Sequence, residues 1–325
     1  MQALVTGANG FLGSALCRRL CAEGHGVRAL VRGGSDGRAL DGLALTRVTG
    51  DVTRPDTLGP ALEGVEVVFH LAGLRRSPAR ADFFAVNTEG TRNACEAMVR
   101  SATARRLVFC GSLSALGPSR PGHPHGESAP FAPTEWYGES KRDAEQLAHA
   151  YGDRLEVTTI RPARIVGPGD HENLAFFKLV ARGLRLVLGG GPRPLNLVDV
   201  EDVVSQLLVQ ATHPAAVGEA FFCAGREEVS LEWLEDRVAE ALGVTPRTVY
   251  VPAAVLRGLA AGADVASSLT GKKLPLNRKL AAQLLAPAWT CRTDKAERLL
   301  GHVSARSLAE STRASALWYR AQGWL

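Results

Sequence analysis

Thr6-Gly7-Ala8-Asn9-Gly10-Phe11-Leu12-Gly13 follows the apolar run Ala3-Leu4-Val5 at the start of the chain. Glycines at this spacing, after a strand and before a helical pattern, are typical of a turn that binds the phosphates of a dinucleotide. Gly7 permits a tight turn, Gly10 lets the backbone approach a pyrophosphate, and Gly13 allows the helix to pack closely on the strand. Free N–H groups at the start of the helix then face the phosphates.

The first half of the chain alternates apolar runs typical of strands with patterns typical of helices. The predicted strands cover residues 3–5, 27–31, 65–70, 107–110 and 155–160, and the helices between them include 12–23, 87–100 and 136–151. Strict alternation predicts a parallel sheet that is covered by helices on both faces. The expected fold class is therefore α/β, with a doubly wound Rossmann-type parallel sheet.

The alternation breaks after Arg161-Pro162, where glycines and prolines interrupt a helical stretch. A helix over 196–209 and a strand over 220–223 are expected to return to the sheet, and the rest of the chain is mainly helical in pattern. We therefore predict two units. A cofactor-binding Rossmann domain takes residues 1–166 and 196–224, and a smaller, mainly helical substrate-binding lobe takes residues 167–195 and 225–325.

The composition is that of an ordinary globular protein of 325 residues, with 46% hydrophobic and 22% charged residues. The formal net charge of +5 and the pI near 9.0 come almost wholly from arginines spread along the chain. Because no long basic run concentrates this charge, we expect no nucleic-acid partner.

Cysteine, histidine and apolar patterns exclude further classes. The cysteines form no Cys-x-x-Cys pair and have no metal-like spacing, so reduced thiols are expected. His123 and His125 lie on a proline-rich loop without a third ligand, and we predict no metal. The chain opens on a strand-like run and has no long uncharged apolar window. We therefore expect no signal peptide, no membrane span and a cytoplasmic location.

The end of the second predicted strand indicates which dinucleotide binds. An acidic residue there would accept hydrogen bonds from the adenosine ribose, but the sequence is Leu30-Val31-Arg32-Gly33-Gly34-Ser35. The planar guanidinium of Arg32 suits a 2′-phosphate instead. NADP(H) is therefore favoured, with NAD(H) as the alternative; Arg32 as a plain solvated loop charge is the other interpretation.

Tyr137 and Lys141 are four residues apart, so both side chains lie on one face of a predicted helix. A nearby ammonium favours the phenolate and is expected to lower the tyrosine pKa from its free value of about 10. Ser112 follows the predicted strand 107–110, where the carboxyl ends of parallel strands meet a ligand, and its hydroxyl is placed to hold a substrate oxygen. This set of side chains is suited to interconverting an alcohol and a carbonyl group.

With these motifs, the chain resembles the extended short-chain dehydrogenase/reductases of the NAD-dependent epimerase/dehydratase superfamily over nearly its whole length. The residues that carry the resemblance are the glycine motif, Gly50-Asp51-Val52, His70-Leu71-Ala72-Gly73, Val86-Asn87-Thr88-Glu89-Gly90-Thr91, Ser112, Tyr137 with Lys141, and Arg161-Pro162 followed by Gly167-Pro168-Gly169-Asp170. The superfamily includes nucleotide-sugar epimerases, 3-beta-hydroxysteroid dehydrogenases and dihydroflavonol reductases.

The resemblance implies roles for individual positions. Tyr137 would exchange a proton with the substrate oxygen, Lys141 would also bind the nicotinamide ribose, and Asn87 would help to hold a proton-relay water. Asp51 and Val52 would bracket the adenine. Further cofactor contacts are expected from Asn9, Phe11, Leu12, Leu71, Ala72, Gly73, Pro162 and Ile165.

Two further assignments follow from the same comparison. His70 is interpreted as a packed strand end, and Ser112 is preferred to Ser114 as the active-site serine. The resemblance also implies a homodimer that forms through the helices beginning near Asn87 and Trp136.

Several positions favour one branch of the superfamily. Sugar-nucleotide dehydratases are expected to carry an Asp-Glu pair where this chain has Leu113 and Ser114, and epimerases an arginine where it has Leu195 and an asparagine where it has Arg164. The run 27–32 instead resembles the dihydroflavonol-reductase and hydroxysteroid-dehydrogenase-like branch. The predicted function is NADPH-dependent interconversion of a ketone or aldehyde and its alcohol on a medium-sized small molecule that is hydrophobic or carries an anionic handle, with Tyr137 as the general acid/base. The alternatives are a sugar epimerase and a non-catalytic cofactor-sensing protein.

Two features bear on the substrate without deciding it. Arg75, Arg76, Arg80 and Arg164 flank the expected cleft, and they either bind an anionic substrate handle or are solvated loop charges. The apolar segment 251–256, with Leu259 and Ala260, either lines a hydrophobic pocket or forms an amphipathic core helix.

Overall fold

A computed structural model describes residues 1–270 and 276–325, and a parallel sheet lies at its centre. The strands are β1 (Gln2–Thr6), β2 (Gly26–Val31), β3 (Thr46–Thr49), β4 (Val67–His70), β5 (Arg106–Cys110), β6 (Glu156–Pro162), β7 (Arg164–Val166), β8 (Leu184–Leu188), β9 (Leu195–Asp199), β10 (Ala220–Cys223), β11 (Glu228–Val229) and β12 (Arg247–Val251). The α-helices are α1 (Phe11–Ala22), α2 (Arg80–Phe83), α3 (Gly90–Arg100), α4 (Trp136–His149), α5 (Leu174–Ala181), α6 (Val200–Thr212), α7 (Leu231–Leu242), α8 (Ala253–Thr270), α9 (Arg278–Leu284), α10 (Asp294–Leu300) and α11 (Leu308–Ala321). A π-helical turn, Phe84–Glu89, joins α2 to α3.

The central sheet has seven strands in the order β10-β6-β5-β4-β1-β2-β3, and every neighbouring pair is parallel. The chain runs outward from β1 through β2 to β3 and then returns to β4 on the other side of β1. Ligands of doubly wound sheets bind at such a reversal, outside the carboxyl ends of the strands. The predicted Rossmann-type fold is confirmed.

Both faces of the sheet are covered, which explains why its strands read as continuous apolar runs. Ala3 and Val5 face a cluster that contains the buried sides of α1 and α6. Leu4 points to the other face, where α3 and α4 pack. Side chains of a strand alternate between faces, so each short run supplies both layers of the core.

The prediction of a helix from residue 196 is wrong for its first four residues. Residues 196–199 belong to β9, which pairs with β7 and β11, and all five residues of β9 are buried. Helix α6 begins at Val200, directly after this strand, because the Asp199 carboxylate accepts the N–H of Glu201 and caps the helix.

Strand β3 is absent from the sequence-based assignment because it is the outer strand of the sheet. Three of its four residues are exposed, so it shows no apolar run. Edge strands commonly carry polar and charged side chains of this kind.

The chain beyond the central sheet is mainly helical, as expected, but it also contains small sheets that the sequence did not predict. β8 pairs in parallel with β12, and β9 lies between β7 and β11. Phe177 and Tyr319 are fully buried in a separate apolar cluster, and the Tyr319 hydroxyl donates to the Asp170 carbonyl. The division into two domains stays a prediction, and residues 271–275 of the second one lie outside the described residues.

Three further observations concern classes of site. The six cysteines carry free thiols. Among residues 1–270 and 276–325, no cluster of histidine, cysteine and carboxylate side chains is arranged to hold a metal ion. Within the same residues, no helix combines the length and the apolar character that a membrane crossing needs.

Candidate active site

The glycine turn packs directly against the loop after β4. Gly7 has a φ of +66°, and a Cβ there would lie 2.9 Å from the backbone of Leu71 and Ala72. A Cβ on Gly13 would overlap the carbonyl oxygen of Gly7, so the helix sits on the turn as predicted. Gly10 is exposed and caps α1 without a side-chain hydrogen bond. The start of α1 therefore presents backbone N–H groups, with no acidic side chain in the first turn.

Other residues of the glycine motif fix this turn to its surroundings. The Asn9 amide donates to the Asp36 carbonyl at 2.9 Å and so holds the turn to the loop after β2. A Cβ on Gly167 would lie 3.3 Å from the Phe11 ring, so this ring packs next to Gly167. The turn is therefore connected to both the adenosine side and the second half of the chain.

His70 lies at the centre of a buried hydrogen-bond chain. Its Nδ1 is 3.0 Å from the Thr6 hydroxyl, which accepts the Ala72 N–H, and its Nε2 is 3.1 Å from the Thr91 hydroxyl. Because the Thr91 hydroxyl donates to the Asn87 carbonyl, Nε2 must be the protonated nitrogen and Nδ1 the acceptor. Burial, with the charge of Lys141, lowers the His70 pKa to about 3, so the ring is neutral. This arrangement agrees with a structural role.

A pocket of about 550 Å³ opens between the carboxyl ends of β2 and β3. Arg32, Ser35, Asp51 and Arg54 contribute to its walls. Arg32 is exposed and forms no ion pair within the described parts of the chain. Arg54, which the sequence analysis missed, lies 3.8 Å from Asp56. A second arginine soon after the Gly-Asp-Val motif was the available signal.

The residues expected around the adenine occupy this side of the sheet. The Asp51 carboxylate accepts the N–H and hydroxyl of Thr53, so it caps its own loop. Val52 is buried, and its side chain fills the space next to Gly90 of α3. On the opposite side of β1, Pro162 ends β6 and Ile165 lies in β7.

Ser112 and Tyr137 meet beyond the end of β5. Both are buried, and burial raises the Tyr137 pKa, a shift that the neighbouring Ser112 hydroxyl partly opposes. The Ser114 N–H donates to Ser112 Oγ at 3.1 Å, which fixes the Ser112 side chain, and the preference for Ser112 over Ser114 stays a prediction. Gly138 lets the start of α4 pack closely against Ser114, because a Cβ on Gly138 would overlap the Ser114 carbonyl oxygen. Glu135 caps α4 by accepting the N–H groups of Tyr137 and Gly138.

The expected effect of Lys141 on the Tyr137 pKa is wrong for the structure described. Burial raises the Tyr137 pKa above its ordinary value, and Arg75, not Lys141, is the cation that opposes this shift. The Arg75 guanidinium carbon lies 5.0 Å from the centre of the Tyr137 ring. Desolvation disfavours the phenolate more strongly than one half-exposed guanidinium favours it.

Lys141 is buried on the same face of α4 as Tyr137. Its ammonium lies 4.3 Å from the centre of the Phe109 ring, and burial lowers its pKa. Within residues 1–270 and 276–325, no carboxylate lies within ion-pair distance of it. An ammonium in this position has donors free for hydroxyl groups.

Asn87, which is expected to help hold a water, makes several hydrogen bonds within the protein. Its amide nitrogen donates to the Leu74 carbonyl and to Ser140 Oγ, and its amide oxygen accepts the Leu74 N–H at 2.7 Å. Both amide hydrogens are therefore used within the protein. Asn87 lies in the π-helical turn and fixes the loop after β4 against α4. These bonds hold the loop in place, and the water-holding role stays a prediction.

The four arginines around the cleft separate into two groups. Arg76 pairs with Glu172 at 2.8 Å and Arg80 with Glu139 at 3.1 Å, so both are neutralised. Arg75 lies over Tyr137, as described above. Burial lowers the Arg164 pKa to about 10, and its Nε donates to the buried side chain of Asn173.

The site fits a nicotinamide dinucleotide at each point that the described residues test. An open glycine turn and an uncapped helix start suit the pyrophosphate, the pocket beside Arg32 suits the adenosine end, and Lys141 suits a ribose hydroxyl. The family model for the NAD dependent epimerase/dehydratase family matches residues 3–224. The chain belongs to this family. It is an extended short-chain dehydrogenase/reductase, and the family uses a nicotinamide cofactor.

Relatives with reductase names cover nearly the whole chain. This chain is 31% identical over 321 residues to the ceramide reductase of Caulobacter vibrioides (strain NA1000 / CB15N). The match covers 99% of this chain and 95% of that protein. It is 30% identical over 314 residues to the 4-hydroxy-2-methyl-3-oxo-4-farnesyl-3,4-dihydroquinoline-1-oxide ketoreductase of Stigmatella aurantiaca, with 93% and 92% covered.

Two further comparisons span the full length. The sterol demethylase protein B of Methylococcus capsulatus (strain ATCC 33009 / NCIMB 11132 / Bath) is 32% identical over 339 residues, with 100% of both chains covered. The crystal structure of gox2253 is 29% identical and superposes with a TM-score of 0.85, covering 100% of this chain and 99% of that one. The chain is thus similar to the first protein in sequence over its full length and to the second in its entire fold.

The buried hydrogen bonds around His70 predict that the protein loses stability at acid pH. The folded-state pKa of about 3 lies below the ordinary value of 6.5, so the unfolded chain takes up the proton first. Stability from neutral His70 is full above pH 6.5 and is lost as the pH falls towards 3, with a slope of about 1.4 kcal/mol per pH unit. Urea unfolding of wild type and His70→Asn across this range should show the slope difference.

His149, which burial also holds below its ordinary pKa, provides the comparison for this measurement. His149→Asn should remove only a smaller part of the pH dependence. Equal slopes for wild type and His70→Asn would show that His70 is not held neutral.

Proposed function

We propose that this protein reduces a ketone or aldehyde on a long, mainly hydrocarbon substrate, with NADPH as the cofactor and Tyr137 as the general acid. The observation that supports it most is the buried group of Ser112, Tyr137 and Lys141 beside the open glycine turn. A phenol, a hydroxyl and a free ammonium in one water-poor site are suited to proton exchange with a carbonyl oxygen.

The residues of this group divide the work by position. NADPH, when bound, supplies the hydride. The Ser112 hydroxyl lies beside the phenol, where it orients the substrate oxygen towards Tyr137. Tyr137 donates its proton to that oxygen, and the raised pKa keeps the phenol protonated until it is needed. Lys141 binds ribose hydroxyls through its unpaired ammonium and places the cofactor beside them.

Sugar-nucleotide chemistry is less well supported by the site. Leu113 and Leu195 are buried in apolar clusters, so neither position brings an acid, a base or a diphosphate ligand to the cleft. Arg193, two residues from the expected arginine position, donates to the Leu188 and Gly189 carbonyls. An epimerase remains the second candidate because the family includes that activity.

The proposed substrate class comes from the relatives and from the cleft. The names ceramide, sterol and farnesyl all denote compounds with large hydrocarbon parts. Arg75 adds positive charge over the Tyr137 ring, and its charge also helps burial to lower the Arg164 pKa, so two guanidinium groups interact on this side of the cleft. We therefore infer a hydrocarbon ketone with a polar or anionic group at one end.

Tyr137→Phe is the direct test of this function. In a panel of long-chain ketones with NADPH oxidation as the readout, the variant should lose roughly 100- to 10,000-fold in kcat, because the proton donor is removed. Tyr151→Phe, which removes a hydroxyl at the far end of α4, should retain the activity. Tightly bound oxidised cofactor with no net NADPH consumption on any ketone would instead favour the epimerase.

Arg32→Ala tests the choice of cofactor. Loss of a guanidinium partner for the 2′-phosphate should weaken NADPH binding roughly 10- to 100-fold and leave NADH binding nearly unchanged. Calorimetric titration of the purified protein with each cofactor measures this. Arg38→Ala is the matched control, since Arg38 lies in the same loop but already pairs with Asp36. Equal losses for both cofactors in Arg32→Ala would exclude Arg32 as the phosphate ligand.

Arg75→Met tests the electrostatics of the general acid. Because Arg75 lowers the Tyr137 pKa, its removal should raise that pKa and extend reduction to higher pH. The alkaline limit of the pH profile of kcat/KM measures this shift. Arg76→Met provides the control, because Arg76 shares the Glu172 carboxylate without contacting Tyr137. A limit that moves to lower pH in Arg75→Met would contradict the assignment.

A further inference from the structure

Helix α8 is apolar on its outer face as well as its inner one. Leu256 and Ala260 are buried against Leu188 and Ala281, so one side of the helix belongs to the core. The other side exposes four large apolar side chains, namely Val255 (49% exposed), Leu259 (58%), Val265 (54%) and Leu269 (81%). The sequence analysis weighed residues 251–260 as a pocket wall or a core helix, and neither describes this outer side.

The four exposed side chains form a stripe along one side of α8. At about 100° per residue they fall within an arc of about 120°, as the pairs Val255 with Leu259 and Val265 with Leu269, and Gly262 lies between the pairs. The charged residues of α8, Arg257 and Asp264, project from the opposite half of the helix. Scattered exposed apolar side chains are ordinary in proteins, whereas several large ones on one side of a helix are typical of a surface that another apolar phase covers.

The charge of this part of the sequence indicates the chemistry of that phase. Between residues 251 and 290 the sequence has one acid, Asp264, against the five basic residues Arg257, Lys272, Lys273, Arg278 and Lys279, of which Lys272 and Lys273 lie outside the described residues. Asp264 itself lies 3.8 Å from Arg278 and accepts its backbone N–H. An apolar stripe within a cationic segment matches a bilayer surface with anionic headgroups.

The stripe also lies next to the candidate active site. Helix α8 packs on α9, and the Lys279 ammonium of α9 lies 3.3 Å from the centre of the Trp136 ring. Trp136 is the first residue of α4 and directly precedes Tyr137. The α8–α9 pair is therefore a neighbour of the cleft that a hydrocarbon substrate must enter.

We propose that α8 docks the protein on anionic membranes through Val255, Leu259, Val265 and Leu269, lying in the headgroup region with its axis along the surface. This placement lets a membrane-dissolved ketone pass into the cleft without crossing water. The route for the substrate rests on the proposed function, whereas the docking itself does not. Such a helix lies on the bilayer and does not cross it.

Vesicle flotation of the full-length protein tests the docking without any substrate. The protein should float with vesicles of phosphatidylcholine and phosphatidylglycerol, bind phosphatidylcholine alone more weakly, and be released by high salt. Leu259→Glu with Leu269→Glu should reduce binding at least ~10-fold, because each change removes an inserted apolar side chain. Leu317→Glu, at a leucine of α11 that is 43% exposed, should bind as wild type does.

Two results would overturn the docking proposal. One is wild-type protein that does not float with anionic vesicles. The other is a dimer, seen in analytical ultracentrifugation, that the Leu259→Glu, Leu269→Glu change dissociates, since a second copy would then cover the stripe. An unchanged unfolding temperature of the double variant shows that its fold is intact.

An activity measurement separates this proposal from the proposed function. With a short, water-soluble ketone and NADPH, the double variant should be as active as wild type, and with a ketone dissolved in anionic vesicles it should be at least ~10-fold slower. Vesicle binding with no reduction of any ketone would contradict the function alone. Reduction of both ketones at wild-type rates by the double variant would contradict the docking route.

Discussion

The junction between β1 and β4 is the constraint on which the rest of the site depends. Gly7 lies so close to the backbone of Leu71 and Ala72 that no side chain fits between them. The Thr6 hydroxyl joins the same two loops by accepting the Ala72 N–H and reaching His70. Because the sheet order reverses at this junction, any movement here would separate the glycine turn from the residues beyond β4 and β5.

The same chain of hydrogen bonds extends to the proposed catalytic helix. Thr91 connects His70 to Asn87, and Asn87 joins the loop at Leu74 to Ser140 of α4. Ser140 precedes Lys141 and follows Tyr137 on that helix by three residues. The cofactor side and the proton-donor side are therefore held together by neutral groups, which costs little because the buried side-chain donors and acceptors of Thr6, His70, Thr91 and Asn87 all have partners.

Opposing electrostatic effects set the state of the site. Burial raises the pKa of Tyr137 and lowers that of Lys141, so both shifts favour the neutral forms. Arg75 works against this for the phenol, from a half-exposed position that also faces Glu172. The phenol therefore stays protonated and the ammonium has no carboxylate partner among the described residues. Both groups can then bind a substrate oxygen or cofactor hydroxyl groups.

The fold and the main side chains of the site were predictable because their signals are local. Alternating apolar runs and the glycine turn specify strands, helices and their parallel order, and the four-residue spacing of Tyr137 and Lys141 specifies one helix face. Strand β3 and residues 196–199 escaped prediction because edge position and burial, not pattern, decide their conformation. Arg54 escaped because its place beside Arg32 depends on the pairing of β2 with β3.

The sequence by itself determined the doubly wound sheet and the family, and it named the glycine turn, Ser112, Tyr137 and Lys141 as the candidate site. Only the tertiary structure decided their electrostatics. Desolvation depends on what surrounds a group in space, so it reversed the expected shift of the Tyr137 pKa and assigned the opposing charge to Arg75. The tertiary structure also decided which groups Asn87 bonds to and which face of α8 is left exposed. Both depend on segments that are far apart in the chain.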